Sequence, residues 1–228
     1  MESGIPRAMA GVALVFAVAA SACGGGDVPA APPSPSTPRG SGSPGPGPAA
    51  APPELQTFDF GGDFELMDQA GASFRLSGRR DRTHLLFFGY ASCPDFCPVT
   101  LSLLTRVQER LAGQGYSSPA FTTLFVSIDP ERDTPERLTD YLGYFALDAI
   151  GLTGSQEQID EVVRQYAAMV QPTPESTDER PLLAHSTYVY LIDGAGTVRY
   201  TFRHDDSAEF IASGVAQLLG NTATSGDR

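Results

Sequence analysis

Apolar and polar residues alternate in "GGDFELMDQAGASFRL" (residues 61–76), with a turn at residues 68–71; this period of two predicts a β-hairpin. "HLLFFGY" (84–90) is apolar almost throughout and bounded by turn residues, the pattern of a strand buried on both faces. "FTTLFVSID" (121–129) reads as a second such strand. Between them, Leu101, Leu104, Val107 and Leu111 recur at helical spacing, which predicts a helix over 99–111. Residues 135–145 form a second helix with Pro135 in its first turn, followed by a short strand near 150–152. Ser155 caps a third helix that runs to about Met169. "STYVYLID" and "TVRYTF" flank a Gly-rich turn at 193–196, a second hairpin, and 207–219 closes as a helix. Strand–helix alternation followed by an antiparallel hairpin and a last helix gives an α/β fold with a mixed central sheet flanked by helices.

The first 53 residues lack this patterning. An uncharged apolar run of 15 residues (8–22) follows Arg7; it is short for a membrane span and suits an export signal. The run ends in Ala20-Ser21-Ala22-Cys23, small residues before a cysteine, which resembles a bacterial lipobox with Cys23 as the lipidated first residue. Residues 24–53 are nearly all Gly, Pro, Ala, Ser and Thr, a composition that cannot bury a core and predicts a tether. The expected organisation is a lipoprotein-type signal peptide at 1–22, a lipidated cysteine and Pro/Gly/Ala-rich tether at 23–53, a folded domain at 54–220 and a disordered tail at 221–228. The expected location is the periplasm, lipid-anchored at the outer face of the inner membrane.

The formal net charge of -12 excludes a nucleic-acid partner, because phosphate binding requires a basic surface. All 15 basic residues are arginine, so a Walker A lysine, a Schiff-base lysine and a lysine general base are excluded as well.

If Cys23 carries lipid, the domain retains one thiol pair, Cys93 and Cys97, between a buried strand and a helix start in "FFGYASCPDFCPVT". Pro98 disfavours helical backbone at Cys97, which places Cys97 at or just before the helix cap. A staple, a redox couple and a metal claw are all open to this pair. The three intervening residues argue weakly against a thioredoxin-type exchanger, and so short a loop gains little from a permanent disulfide. A claw needs a third ligand from His84, His185 or His204. His84 opens the buried strand at the end opposite the cysteines, and His204 beside Asp205 and Asp206 reads as solvated loop. On position alone, His185 in "LLAHSTYVY" is more often structural than ligating.

"FFGYASCPDFCPVTLSLL", "VSIDPERDTPERL" and "AHSTYVYLIDGAGTVRYTF" together resemble the Sco/SenC family of copper proteins, in order and with matching gaps over about residues 60–220. The resemblance implies a thioredoxin-like fold with an additional N-terminal β-hairpin. It also implies copper, as Cu(I) or Cu(II), on Cys93, Cys97 and His185, a reversible Cys93–Cys97 disulfide, and a role in assembling the binuclear copper centre of cytochrome c oxidase. The implied partners are the copper-receiving oxidase subunit and other copper chaperones. The resemblance implies a metallochaperone more than an enzyme. The alternatives are a thiol-disulfide oxidoreductase acting on the recipient's cysteines and a copper or redox sensor. Ala91 stands where the family often has Thr, and Ala184 where an acidic residue often precedes the histidine. Two thiolates and an imidazole suit copper, and zinc accepts the same atoms.

Three carboxylates lie near the pair in sequence or along the sheet edge, and none is expected as a direct ligand. Asp95 sits inside the loop. Asp129 ends the second buried strand on the cysteine edge, where open α/β sheets place their sites. Asp133 or Thr134 is expected to cap the helix that starts at Pro135, the alternative for Asp133 being a place near the cysteine loop.

Overall fold

The structure is a computed structural model, and it describes residues 51–116, 118, 120–177 and 181–225. The signal segment, Cys23 and most of the tether lie outside the described residues. Among the described residues no helix is long and apolar enough to cross a membrane.

A seven-stranded mixed sheet forms the centre, in the order β2-β1-β5-β4-β3-β8-β9. The hairpin β1 (Glu65–Asp68) and β2 (Ser73–Arg75) pairs through β1 with β5 (Ala149–Thr153), antiparallel. The middle strands β3 (Thr83–Gly89), β4 (Phe121–Ser127) and β5 run parallel; β8 (Val189–Ile192) and β9 (Val198–Phe202) add antiparallel strands beyond β3. All seven residues of β3 and of β4 are buried, the apolar centres as expected and Thr83, His84, Thr122, Thr123 and Ser127 along with them. Alternation divides the core between the two faces. Leu85 and Phe87 pack with helices α1 (Phe96–Gly113), α2 (Pro135–Leu142) and α4 (Ala208–Ser225). Leu86 and Phe88 pack with the first hairpin and α3 (Gln156–Gln165).

Four local expectations are corrected. The first helix begins at Phe96, so Cys97 is its second residue and Pro98 its third. Pro98 forgoes only an N–H that has no partner in a first turn, and burial of Cys97 at 0 % exposure overrides the bias on the residue before proline. Helix α3 stops at Gln165, because Ala167 turns left-handed (φ 50°) and Val170 enters a strand. That strand, β6 (Val170–Pro172), pairs with β7 (Leu183–His185) in a two-stranded ribbon that local patterning does not show. Helix α4 continues to Ser225, into the segment expected as a tail, since a single glycine at 220 weakens a helix without ending it.

Candidate metal centre

Parallel β3 and β4 end on the same sheet edge, and the turns that leave them build the site. After Gly89 the chain turns, with the Cys93 amide donating to the Tyr90 carbonyl at 3.1 Å, and enters α1. Cys93 is half-buried and Cys97 fully buried, and both thiols are free. From the other side, β7 delivers His185. The sulfurs of Cys93 and Cys97 and a ring nitrogen of His185 lie within 4.8 Å of one another. His185 Nε2 is 3.5 Å from Cys97 Sγ across 88 residues of sequence.

The imidazole is held edge-on to two aromatic rings, Phe87 and Tyr90, each with its centroid 6.0 Å away. Its Nδ1 lies 3.0 Å from the Ser186 carbonyl, an acceptor only, so Nδ1 carries a proton and Nε2 is the ring nitrogen turned to the sulfurs. The two thiols are unequal. Cys93 is drawn down to about 4, first because the Cys97 thiol donates to it, with His185 and the backbone amides of Cys97 and Asp95 adding to the effect against burial. Sharing that proton, and burial, push Cys97 up. The result is one thiolate and one thiol at a helix start, with the His185 ring beside them. A cleft of about 350 Å³ opens next to Cys93 and His185, lined by Tyr90, Pro94, Phe96, Leu182 and Leu183, with Asp95 and Glu175 also on its walls.

A family model for SCO1/SenC matches residues 52–220. The chain belongs to the SCO1/SenC family. Among SCO1/SenC relatives, the SCO2-like protein of Rickettsia conorii is 37% identical over 148 residues, covering 64% of this chain and 71% of its own. Protein SenC of Rhodobacter capsulatus is 34% identical over 167 residues, covering 73% of this chain and 74% of its own. The copper-bound structure of Bradyrhizobium japonicum ScoI superposes with a TM-score of 0.63 at 30% identity, over 70% of this chain and 99% of that one. The fold is the thioredoxin-like one of these SCO1/SenC proteins, with the extra hairpin at β1–β2.

The structure gathers Cys93, Cys97 and His185 and leaves the other histidines out of that cluster. His84 is fully buried at the far end of β3, with neither ring nitrogen hydrogen-bonded. His204 is exposed, yet it is not simply solvated: its ring lies 5.3 Å from that of Phe96 and its Nδ1 is 3.4 Å from the Thr187 hydroxyl. Asp95 occupies the N-cap position of α1 without a side-chain capping bond. Thr134, not Asp133, caps α2 by accepting from the Arg137 amide. Asp133 is buried, and its Oδ2 accepts from the Ala91 amide (2.9 Å) and the Ser127 hydroxyl (2.7 Å), so it holds the base of the cysteine loop. Asp129 accepts from Arg132 Nε at 2.5 Å.

Sequence reasoning missed Gly89. A Cβ there would lie 2.7 Å from Cys97 Sγ and 2.8 Å from the Phe125 ring, so only glycine lets β3 pass this close to the sulfur. A glycine interrupting an otherwise apolar strand run is the signal that marks such an approach.

Proposed function

We propose that this chain binds one copper ion through Cys93 Sγ, Cys97 Sγ and His185 Nε2, and serves assembly of the binuclear copper centre of cytochrome c oxidase. The observation that carries the reading is the convergence of those three donor atoms within 4.8 Å from two distant parts of the chain. The donor chemistry fits: a thiolate already favoured at Cys93, a second sulfur that deprotonates on loading, and an imidazole whose Nε2 is turned to the sulfurs. Copper is the cargo, and three protein ligands leave a coordination position through which a recipient can take it. The likeness to copper-bound ScoI supports the metal, and the three matched sequence segments support the oxidase role. The partners in this reading are the copper-receiving oxidase subunit and other copper chaperones. The apolar run before Cys23 and the Pro/Gly/Ala-rich residues after it support export and a lipid anchor at Cys23, with the domain at the outer face of the inner membrane.

The asymmetry of the pair favours a second reading. A half-buried thiolate at Cys93 and a buried thiol at Cys97 are the nucleophile and resolving group of a thiol-disulfide oxidoreductase. Titrating the reduced protein with copper, followed by metal analysis, separates the two. Metal delivery expects one copper per chain, lost in Cys93→Ser and Cys97→Ser and held more loosely in His185→Ala. Copper binding indifferent to His185 removes it from the site and favours the oxidoreductase.

A further inference from the structure

Three kinds of contact join the two limbs of the site directly: the sulfur–imidazole contact, the edge-on contacts of the His185 ring with Phe87 and Tyr90, and a hydrogen bond from the Leu183 amide to the Tyr90 hydroxyl at 3.2 Å. The turn after β4, in "DPERDTPER" (129–137), reaches both limbs. The Arg132 guanidinium sits over the Tyr90 ring, 5.9 Å from its centroid, and donates to the Pro181 carbonyl at 3.0 Å, where the chain enters β7. Asp129, its side chain 11% exposed, holds Arg132 in that direction. Four residues later Asp133 reaches the opposite way, to the Ala91 amide at 2.9 Å. Arg137 places Nε 3.5 Å from the other Asp133 oxygen, a charge contact rather than a hydrogen bond, and donates to the Ser92 hydroxyl at 2.9 Å. The turn is itself tied to the sheet: the Asp129 amide donates to the Ser127 hydroxyl at 3.1 Å, and the Asp133 amide to the Asp129 carbonyl at 2.9 Å.

We propose that residues 129–137 are a two-armed brace that sets the distance between the cysteine limb and the histidine limb, with Arg132 the positioning residue for His185 and Asp133 the positioning residue for Cys93. The proposal rests on the copper reading of the site. It follows from the geometry, because one short turn hydrogen-bonds to the residues just ahead of Cys93 and just ahead of β7, and the two arms are separate side chains. Partners of this kind, one step removed from a metal ligand, change affinity by about ten- to a hundredfold when lost.

The test loads the reduced full chain with Cu(II) and compares wild type with Arg132→Leu and Asp133→Leu by competition affinity and electron paramagnetic resonance. Arg132→Leu is expected to weaken binding about tenfold or more and to reduce the imidazole nitrogen coupling while the sulfur-to-copper absorption band persists. Asp133→Leu is expected to do the reverse, shifting the sulfur band with nitrogen coupling retained, and Asp133→Asn, which can still accept from the Ala91 amide, to restore it. If Asp133→Leu does not fold, Arg137→Met, which frees Ser92 and removes the charge contact to Asp133 but leaves the Asp133–Ala91 hydrogen bond, carries that arm. A folded Arg132→Leu protein with wild-type affinity and unchanged nitrogen coupling overturns the brace. The metal-free chain separates this failure from failure of the copper reading: amide exchange at Leu183 should accelerate in Arg132→Leu whether or not wild type binds copper, and unchanged exchange there counts against the brace alone.

Discussion

His84 offers a quantitative check on the buried sheet, because it is a titratable group sealed at the far end of β3. Its ring is 0 % exposed, neither nitrogen has a hydrogen-bond partner, and its pKa is lowered from 6.5 to about 4. Burial is the main cause; the Arg79 carbonyl pulls the other way but lacks hydrogen-bond geometry to the ring. Above pH 6.5 the ring is neutral in both folded and unfolded chain, and its contribution is fully present. As pH falls from 6.5 toward 4 only the unfolded chain takes up the proton, so stability is lost across that window and the loss levels off below it. The separation of the two pKa values corresponds to about 3 kcal/mol in the limit, of which about 2 kcal/mol is lost by pH 5. Chemical denaturation of the reduced, metal-free protein at pH 7 and pH 5 measures the total change, to which carboxylates also contribute. His84→Leu removes only the His84 share, so its stability should fall by about 2 kcal/mol less between the two pH values than that of wild type. Equal losses in the two proteins would show that His84 is protonated in the folded state at pH 5, and would refute the dry environment assigned to it.

Three further outcomes are expected. Gly89→Ala forces a methyl against Cys97 Sγ and Phe125; it should cost about 1–3 kcal/mol by denaturation and weaken copper binding, and a variant with wild-type affinity would contradict the close approach at 2.7 Å. Brief alkylation of the reduced protein at pH 6, read by peptide mass, should label Cys93 well before Cys97, since one is a half-buried thiolate and the other a buried thiol; equal or reversed labelling would remove the assigned asymmetry. Intact mass of the membrane fraction should show a lipidated chain beginning at Cys23, and Cys23→Ala should release or leave unprocessed a protein that still binds copper; a wild-type chain without lipid would end the anchor proposal and leave the metal site standing.

The parts legible in the sequence were those whose physics is local. The runs at β3 and β4 announce burial on both faces because their centres, Leu85–Phe88 and Leu124–Val126, are apolar at every position, and the hairpin at β1–β2 shows its turn and its alternation. The three side chains that converge, Cys93, Cys97 and His185, were legible through matched motifs; spacing alone left the cysteine pair open between three chemistries. Asp133 was assigned to capping because position before Pro135 is the signal that sequence carries. Its actual partner, the Ala91 amide, lies 42 residues away and leaves no mark in either segment. The same holds for Arg132 and Pro181, 49 residues apart, and for Tyr90 and Leu183, 93 apart. The ribbon β6–β7 escaped notice because its strands are three residues each and bracket a Pro/Ser/Thr/Asp/Glu-rich stretch that reads as loop.

The 88 residues between Cys97 and His185 make the two chemical states of the sulfur pair mechanically unequal. A Cys93–Cys97 disulfide joins the entry of α1 to itself and closes a ring only a few residues long. A shared ion that includes His185 links that helix entry to β7 and closes the long loop instead. In the chain-entropy model a link over the long loop restrains the chain by about 4.6 kcal/mol, against about 2 kcal/mol for the short one. Oxidation therefore removes Cys97 as a partner for His185 and restrains the unfolded chain little, whereas a shared ion would close the long loop and add a further link between the ribbon and the sheet to those made through Arg132 and Tyr90.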